Sequence, residues 1–209
     1  MTAFFTADTH FGHDKIRHLA PRPFDSLDEM DEALIANWND TVARGDEVWV
    51  LGDYAMGDRA RGLSYLSRLN GTKYLVQGNH DRGSAAMSNG HKHQRQYFEA
   101  GFEAVFDHAE IKLPPLTKQG PGLSVMLSHY PYSGEHGDLS DRYAQLRLRD
   151  LGRPLVHGHV HDEWTTRFSD CGTAMVNVGV ERWGYRPVSA SHIHRLFAQM
   201  DNGADETGR

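Results

Sequence analysis

Residues 73–81 read KYLVQGNHD. An apolar run ending at Val76 breaks at Gly78 and delivers Asn79, His80 and Asp81 side by side. A short apolar run bounded by a glycine has the length and composition of a buried strand. The same plan recurs upstream. Residues 47–53 (EVWVLGD) run into Gly52-Asp53, and residues 2–7 (TAFFTA) run into Asp8-Thr-His10. Between these strands lie two helical stretches. Residues 27–43 place Leu27, Met30, Leu34, Ile35 and Trp38 at helical intervals, with Asp25 or Ser26 as the cap, and residues 58–70 align Leu63, Leu66 and Leu69. Strand, helix, strand, helix, strand predicts parallel β-α-β units.

Downstream, the pattern predicts a helix over 91–100, strand material over 104–112 and a loop over 113–122. LSVMLSH is a strand ending at His129, 130–138 a Gly- and Tyr-rich loop, and 139–151 a helix. PLVHGHVH is a strand ending in histidines, 174–180 another strand, and Val188 to Met200 a closing helix. Residues 1–200 read as a single domain and 201–209 as a disordered tail.

The 209 residues suit one compact domain, and 39% hydrophobic residues suffice for a real core. The net charge of -6 argues against nonspecific capture of nucleic acid or an anionic membrane, although two bound dications would add about four positive charges locally. The lone Cys171 excludes an intrachain disulfide and a thiolate metal cage. No signal peptide and no stretch of about 20 apolar residues is present, so the expected setting is cytoplasmic, with no membrane partner.

The chain's 14 histidines draw attention by position. Five predicted strands each end in a cluster that can bind metal: Asp8-Thr-His10, Gly52-Asp53, Gly78-Asn79-His80-Asp81, Ser128-His129 and Gly158-His159-Val-His161. In α/β sheets, ligands bind outside the carboxyl ends of strands, so these clusters should converge on one edge. Strand alternation predicts that Asp8 and His10 point to the same side, and likewise His159 and His161. Carboxylate, imidazole and amide donors without thiolate suit Mn, Fe, Zn, Co or Ni better than a soft metal. With Asp53 shared, the donors suffice for two ions, the arrangement used for in-line displacement at phosphorus at about 3.5–4 Å separation.

In this order, the clusters DxH, GD, GNHD, H and GHxH resemble the calcineurin-like metallophosphoesterase superfamily. The resemblance implies a four-layer α/β/β/α sandwich with two mixed β-sheets. It implies that Asp8, His10, Asp53 and His161 hold one divalent cation and that Asp53, Asn79, His129 and His159 hold the other. Manganese leads among the candidate ions, with Fe, Zn, Ni, Co and Mg as alternatives. The implied reaction is attack on phosphorus by a hydroxide bridging the two ions, with His80 stabilising the transition state or protonating the leaving oxygen. Asp81 joins His80 as a catalytic candidate, with a role in orienting local structure.

Asp53 is followed by Tyr-Ala-Met-Gly-Asp rather than Asp-Arg-Gly, which sets the chain apart from the protein Ser/Thr phosphatases. The opening Asp-Thr-His-Phe-Gly-His resembles small bacterial and phage members. The expected partner is a phosphoester, as a small molecule or an exposed nucleotide. A nuclease acting on DNA or RNA is the alternative, followed by a noncatalytic scaffold or a mononuclear zinc hydrolase of another fold.

Other residues keep two readings each. His13 is either at the metal edge or on the surface. Asn177 and Gly179 either shape the site floor or pack a strand end, and His157 packs or supports a ligand. His91, Lys92, His93 and Arg95 read as a solvated face rather than a substrate mouth. Tyr130 and Tyr132 either stack on a base or pack a loop. Arg142, Arg147, Arg149 and Arg153 read as the exposed side of a helix.

Overall fold

Alternation along β1 (Ala3–Thr6), β2 (Glu47–Val50) and β3 (Thr72–Val76) sorts side chains onto two faces. Phe4, Val48, Val50 and Leu75 face a layer of helices, whereas Phe5, Trp49, Leu51 and Val76 face the opposite way. β4 (Ala104–Phe106) continues the parallel set and β10 (Val188–Ser189) adds an antiparallel edge, giving the order β10-β1-β2-β3-β4. The second sheet has β5 (Ala109–Leu113), β6 (Leu123–Leu127), β7 (Leu155–His157), β8 (Thr166–Phe168) and β9 (Ala174–Asn177) in the order β5-β6-β7-β9-β8. β6, β7 and β9 are parallel, and both edges are antiparallel. This computed structural model describes residues 1–135, 140–161 and 163–207, the last five as backbone only.

The two sheets face each other across Phe5, Leu51 and Val76 on one side and Val125, Leu127, Val156 and Val176 on the other. α5 (Ala190–Thr207) adds Ile193 and Phe197 to this middle core. On the far side of the first sheet, α2 (Leu27–Thr41) buries Met30, Leu34, Ile35 and Trp38, the face its periodicity predicts. Ser26 is its cap, its hydroxyl accepting from Glu29 N at 3.1 Å. α1 (Ile16–Leu19), α3 (Arg59–Ser64) and α4 (Arg95–Ala100) complete the helices. The outer face of the second sheet is covered by Tyr132, Leu148 and Trp164 packed on Leu155 and Met175. The α/β class with two mixed sheets is the one the sequence implied. Among the described residues no helix is long and apolar enough to cross a membrane.

Several local expectations are corrected. The strand over 104–112 is two strands in different sheets, because the chain crosses between layers at the exposed Asp107-His108. The described part of 139–151 holds only a 3-10 turn, Ala144–Leu146. Arg147 explains why. Its guanidinium is not exposed but buried among the loop carbonyls, donating to Pro131 O and Gly134 O at 3.0 Å each and to Arg142 O at 2.9 Å. Arg153 pairs with Glu110 and Arg142 with Glu135, so these arginines are not one helix face. The long 58–70 helix is α3 followed by a 3-10 turn, and 91–100 is a 3-10 turn followed by α4. β9 stops at Asn177, before the expected Val180. The closing helix begins after β10 and runs on through Thr207, into the stretch read as a tail; residues 208 and 209 lie outside the described residues, as do 136–138 of the loop read over 130–138 and residue 139 of the helix read over 139–151.

Candidate active site

β1, β2, β3, β6 and β7 all deliver their C-terminal ends to one edge, and there the five clusters meet. The carboxylate and imidazole donors of Asp8, His10 and His161 lie within 4.8 Å of one another, and so do those of Asp8, Asp53 and His129. Asp8 is common to both groups, and Asp53 reaches from the second toward the first. Asp53 Oδ2 is 3.9 Å from His10 Nε2 and 3.4 Å from His129 Nε2. Asn79 Oδ1 lies 3.1 Å from both His129 Nε2 and His159 Nδ1.

The side chains reach this edge by a route that strand alternation does not describe. β1 ends at Thr6 and β7 at His157, before the candidate donors. Asp8, His10, Asp53, His159 and His161 all have positive φ, between +49° and +74°. Asp and His tolerate this region better than most residues, and such conformations concentrate at functional sites. In both D-x-H and H-x-H, left-handed residues two apart aim their side chains to one side. Glycine is required where the ligands crowd the backbone. A Cβ at Gly78 would lie 2.3 Å from Asp53 Oδ1, and one at Gly52 2.3 Å from His129 Nδ1.

The imidazoles are oriented from behind. His129 Nδ1 donates to Leu51 O at 2.8 Å, which turns Nε2 toward Asp53. His159 Nε2 meets the Glu135 carboxylate at 2.9 Å, leaving Nδ1 toward Asn79. His161 Nδ1 donates to Glu181 Oε1 at 3.0 Å. Glu181 in turn accepts from Arg22 Nη2 at 2.5 Å, and the buried Arg22 guanidinium also donates to Asp8 O and Thr9 O. Carboxylates behind metal-binding histidines fix the tautomer and raise ligand basicity. Glu181→Ala is therefore expected to weaken Mn²⁺ binding by roughly 10–100-fold, with Glu181→Gln milder because it keeps an acceptor oxygen. Calorimetric titration checks this, and unchanged affinity in the Ala variant would remove Glu181 from the site.

Asp8 Oδ1 and both ring nitrogens of His10 are buried without a hydrogen-bond partner. Buried polar atoms of this kind are costly and demand an explanation. Divalent cations supply one, and the oxygen and nitrogen donors suit them. The electrostatics agree. Burial pushes Asp8 up to about 6. Burial alone would depress His129, yet the Asp53 and Asp8 carboxylates push it up to about 9. Burial likewise opposes ionisation of Asp53, but His129 and His10 hold it well below the usual carboxylate range. A cluster that draws positive charge this strongly is suited to cations.

The remaining candidates divide. His80 and His13 line a cavity of about 450 Å³ beside the ligands. The His80 and His13 rings lie 5.6 and 5.5 Å from the His10 ring, and burial lowers both imidazoles. Asp81 lies behind the site. It accepts from Gly78 N and Asp53 N at 2.8 Å and from Tyr54 N at 3.2 Å, so it positions the Asp53 and Asn79 loops rather than touching the cavity. Asn177 Nδ2 donates to His161 O, and its Oδ1 accepts from Gly179 N, which builds the floor under His161. His157 packs its ring on Trp164 at 4.7 Å and bonds Gly158 O. Tyr130 packs edge-on against His129 and His159, and Tyr132 donates to Arg153 O, so neither offers a base-stacking face in the cavity. His91, Lys92 and Arg95 are exposed and His93 partly so, away from it.

Sequence reasoning missed Glu135, Glu181, Arg22 and the cavity residues Lys15, Met56 and Arg142. Glu181 had a readable signal, since β9 is parallel to β7 and its carboxyl end carries Asn177, Gly179 and Glu181 to the same edge.

Comparison with known proteins agrees with this geometry. The chain is 36% identical to the Gene 66 protein of Mycobacterium phage L5, over 92% of each chain. It is 33% identical to the Gene 66 protein of Mycobacterium phage D29, covering 96% of this chain and 98% of that one. The fold matches the crystal structure of AQ665 from Aquifex aeolicus, a protein of unknown function, with a TM-score of 0.66 and 26% identity over 93% of this chain and 98% of that one. Residues 1–196 match the calcineurin-like phosphoesterase superfamily domain, and the chain thus belongs to that superfamily of metal-dependent phosphoester hydrolases.

Proposed function

We propose that the protein is a dinuclear phosphoesterase acting on small phosphoesters, with manganese as its leading metal. The observation that carries this reading is the convergence of two donor groups that have Asp8 in common, with Asp53 Oδ2 set between His10 Nε2 of one and His129 Nε2 of the other. Asp8, His10, Asp53 and His161 hold one cation, and Asp53, Asn79, His129 and His159 the other. Bound divalent cations supply an activated water at neutral pH and neutralise phosphoryl oxygens.

The chain's own residues do the rest. Asp53 is fixed by two backbone contacts, its N–H to Asp81 and its Oδ1 accepting from His80 N at 2.7 Å. The second contact ties the His80 backbone to the shared carboxylate. The His80 ring is left free of the donor groups and faces the cavity, where an imidazole N–H can donate to the departing oxygen. Lys15 and Arg142 line the same cavity and favour an anionic ester. An acidic chain with a cavity of small-molecule size fits a small ester or exposed nucleotide better than a nucleic acid duplex.

The test is a panel of bis-p-nitrophenyl phosphate, p-nitrophenyl phosphate, cyclic nucleotides and oligonucleotides, with and without metal. Chelator-stripped protein should be inactive, and Mn²⁺ should restore hydrolysis of the small esters. Full turnover in chelator with no bound metal would sink the proposal. Activity confined to oligonucleotides, falling steeply with salt, would favour a nuclease instead.

A further inference from the structure

The cavity has a second wall, and it is apolar. Ile16, Leu19 and Ala20 from α1 and its C-terminal flank, together with Met56, line it beside the ligand side chains. This wall is anchored. Ile16 and Ala20 are buried in the helix-side core, and Arg17 ties the turn to Asp14 Oδ1 and Phe24 O. Met56 is held alongside by its N–H to Phe11 O at 3.1 Å, and the next turn by Asp58 N to Gly12 O at 3.0 Å. Leu19 differs from its neighbours, being 73% exposed. Of the exposed large apolar side chains among the described residues, Leu19 alone lines the cavity.

We propose that this wall is a subsite for the organic group of the substrate. It takes small phosphoesters whose ester group presents an apolar face, an aromatic ring or a short alkyl chain, to Ile16, Leu19, Ala20 and Met56. The inference rests on the phosphoester reading, which places the phosphoryl group among His10, Asp53, Asn79 and His80. The group attached to phosphorus must then lie elsewhere in the same cavity. Its volume of about 450 Å³ is that of a small-molecule site, in which apolar walls carry affinity and a few polar groups fix orientation. Removing the apolar face of the ligand and Leu19 from water together is favourable. A nucleic acid strand would call instead for a basic track with aromatic stacking platforms. No aromatic side chain other than histidine lines this cavity among the described residues.

The test is binding of phosphonates, whose P–C bond is not an ester. Calorimetry on Mn²⁺-loaded protein would compare methylphosphonate, butylphosphonate and phenylphosphonate. Affinity should rise about tenfold or more from methyl to phenyl, the gain typical of one well-placed apolar group. Leu19→Ser and Met56→Ala should each shrink that preference. Leu151→Ser, at an exposed leucine away from the cavity, should keep it. Equal affinities for methyl- and phenylphosphonate, or a preference intact in the Leu19 and Met56 variants, would overturn the subsite. So would binding of neither ligand. Hydrolysis of p-nitrophenyl esters in that case would show that the phosphoesterase reading survives without it. A phenyl preference in a protein that hydrolyses none of the esters would leave the subsite standing and remove the catalytic reading.

Discussion

His80→Ala is expected to keep its bound Mn²⁺ and to lose roughly 10²–10⁴-fold in kcat, the range of a positioned general acid. The imidazole is half-buried, lines the cavity and stands outside both donor groups. Its backbone does the structural work in this loop, since His80 N donates to Asp53 Oδ1 and His80 O accepts from Arg59 Nη2 at 3.4 Å. Alanine keeps both backbone contacts, so truncation removes the ring and little else. The fall should be steeper for esters with poor leaving groups, such as alkyl phosphates, than for p-nitrophenyl esters, whose phenolate departs without a proton. Metal content by elemental analysis and kcat on both ester types check this. Wild-type turnover on an alkyl ester would take His80 out of the mechanism.

The contrast with Asp81, the next residue, shows what the sequence could and could not convey. Both belong to Gly-Asn-His-Asp, and both were read as catalytic candidates. The structure separates them by direction: the His80 ring faces the cavity, while the Asp81 carboxylate turns back onto the N–H groups of Gly78, Asp53 and Tyr54. A linear motif fixes order along the chain, not the side of the loop each side chain takes. The ligand clusters were legible because parallel strands bring their carboxyl ends to one edge whatever the details between them. The positive φ at Asp8, His10, Asp53, His159 and His161 was not legible, since periodicity carries no dihedral.

The long-range partners were harder still. Arg22 and Glu181 are 159 positions apart, and although Glu181 follows a strand that runs to the site edge, nothing local marks Arg22 as its partner. Similarly, the 139–151 stretch has helical composition, yet Arg147 spends its guanidinium on carbonyls of the 131–134 loop, and that tertiary demand overrides local propensity. The helix over 27–43 was legible because its apolar stripe, its Ser26 cap and its burial all point the same way.

Asp53→Ala is expected to have the largest effect of all, reducing hydrolysis to background and lowering bound metal. Asp53 Oδ2 lies near both His10 Nε2 and His129 Nε2, while Oδ1 anchors the His80 loop. Removing it takes away the shared negative charge and leaves buried imidazoles facing one another. On the two-cation proposal the loss should persist at saturating Mn²⁺, because added metal would not replace a shared carboxylate. Substantial activity in this variant would mean that Asp53 is not shared. The most direct measurement is the number of Mn²⁺ ions bound per wild-type chain, by calorimetric titration with native mass spectrometry. The account predicts two, with Asp53→Ala binding fewer; a wild-type chain that saturates at one ion while fully active would contradict it.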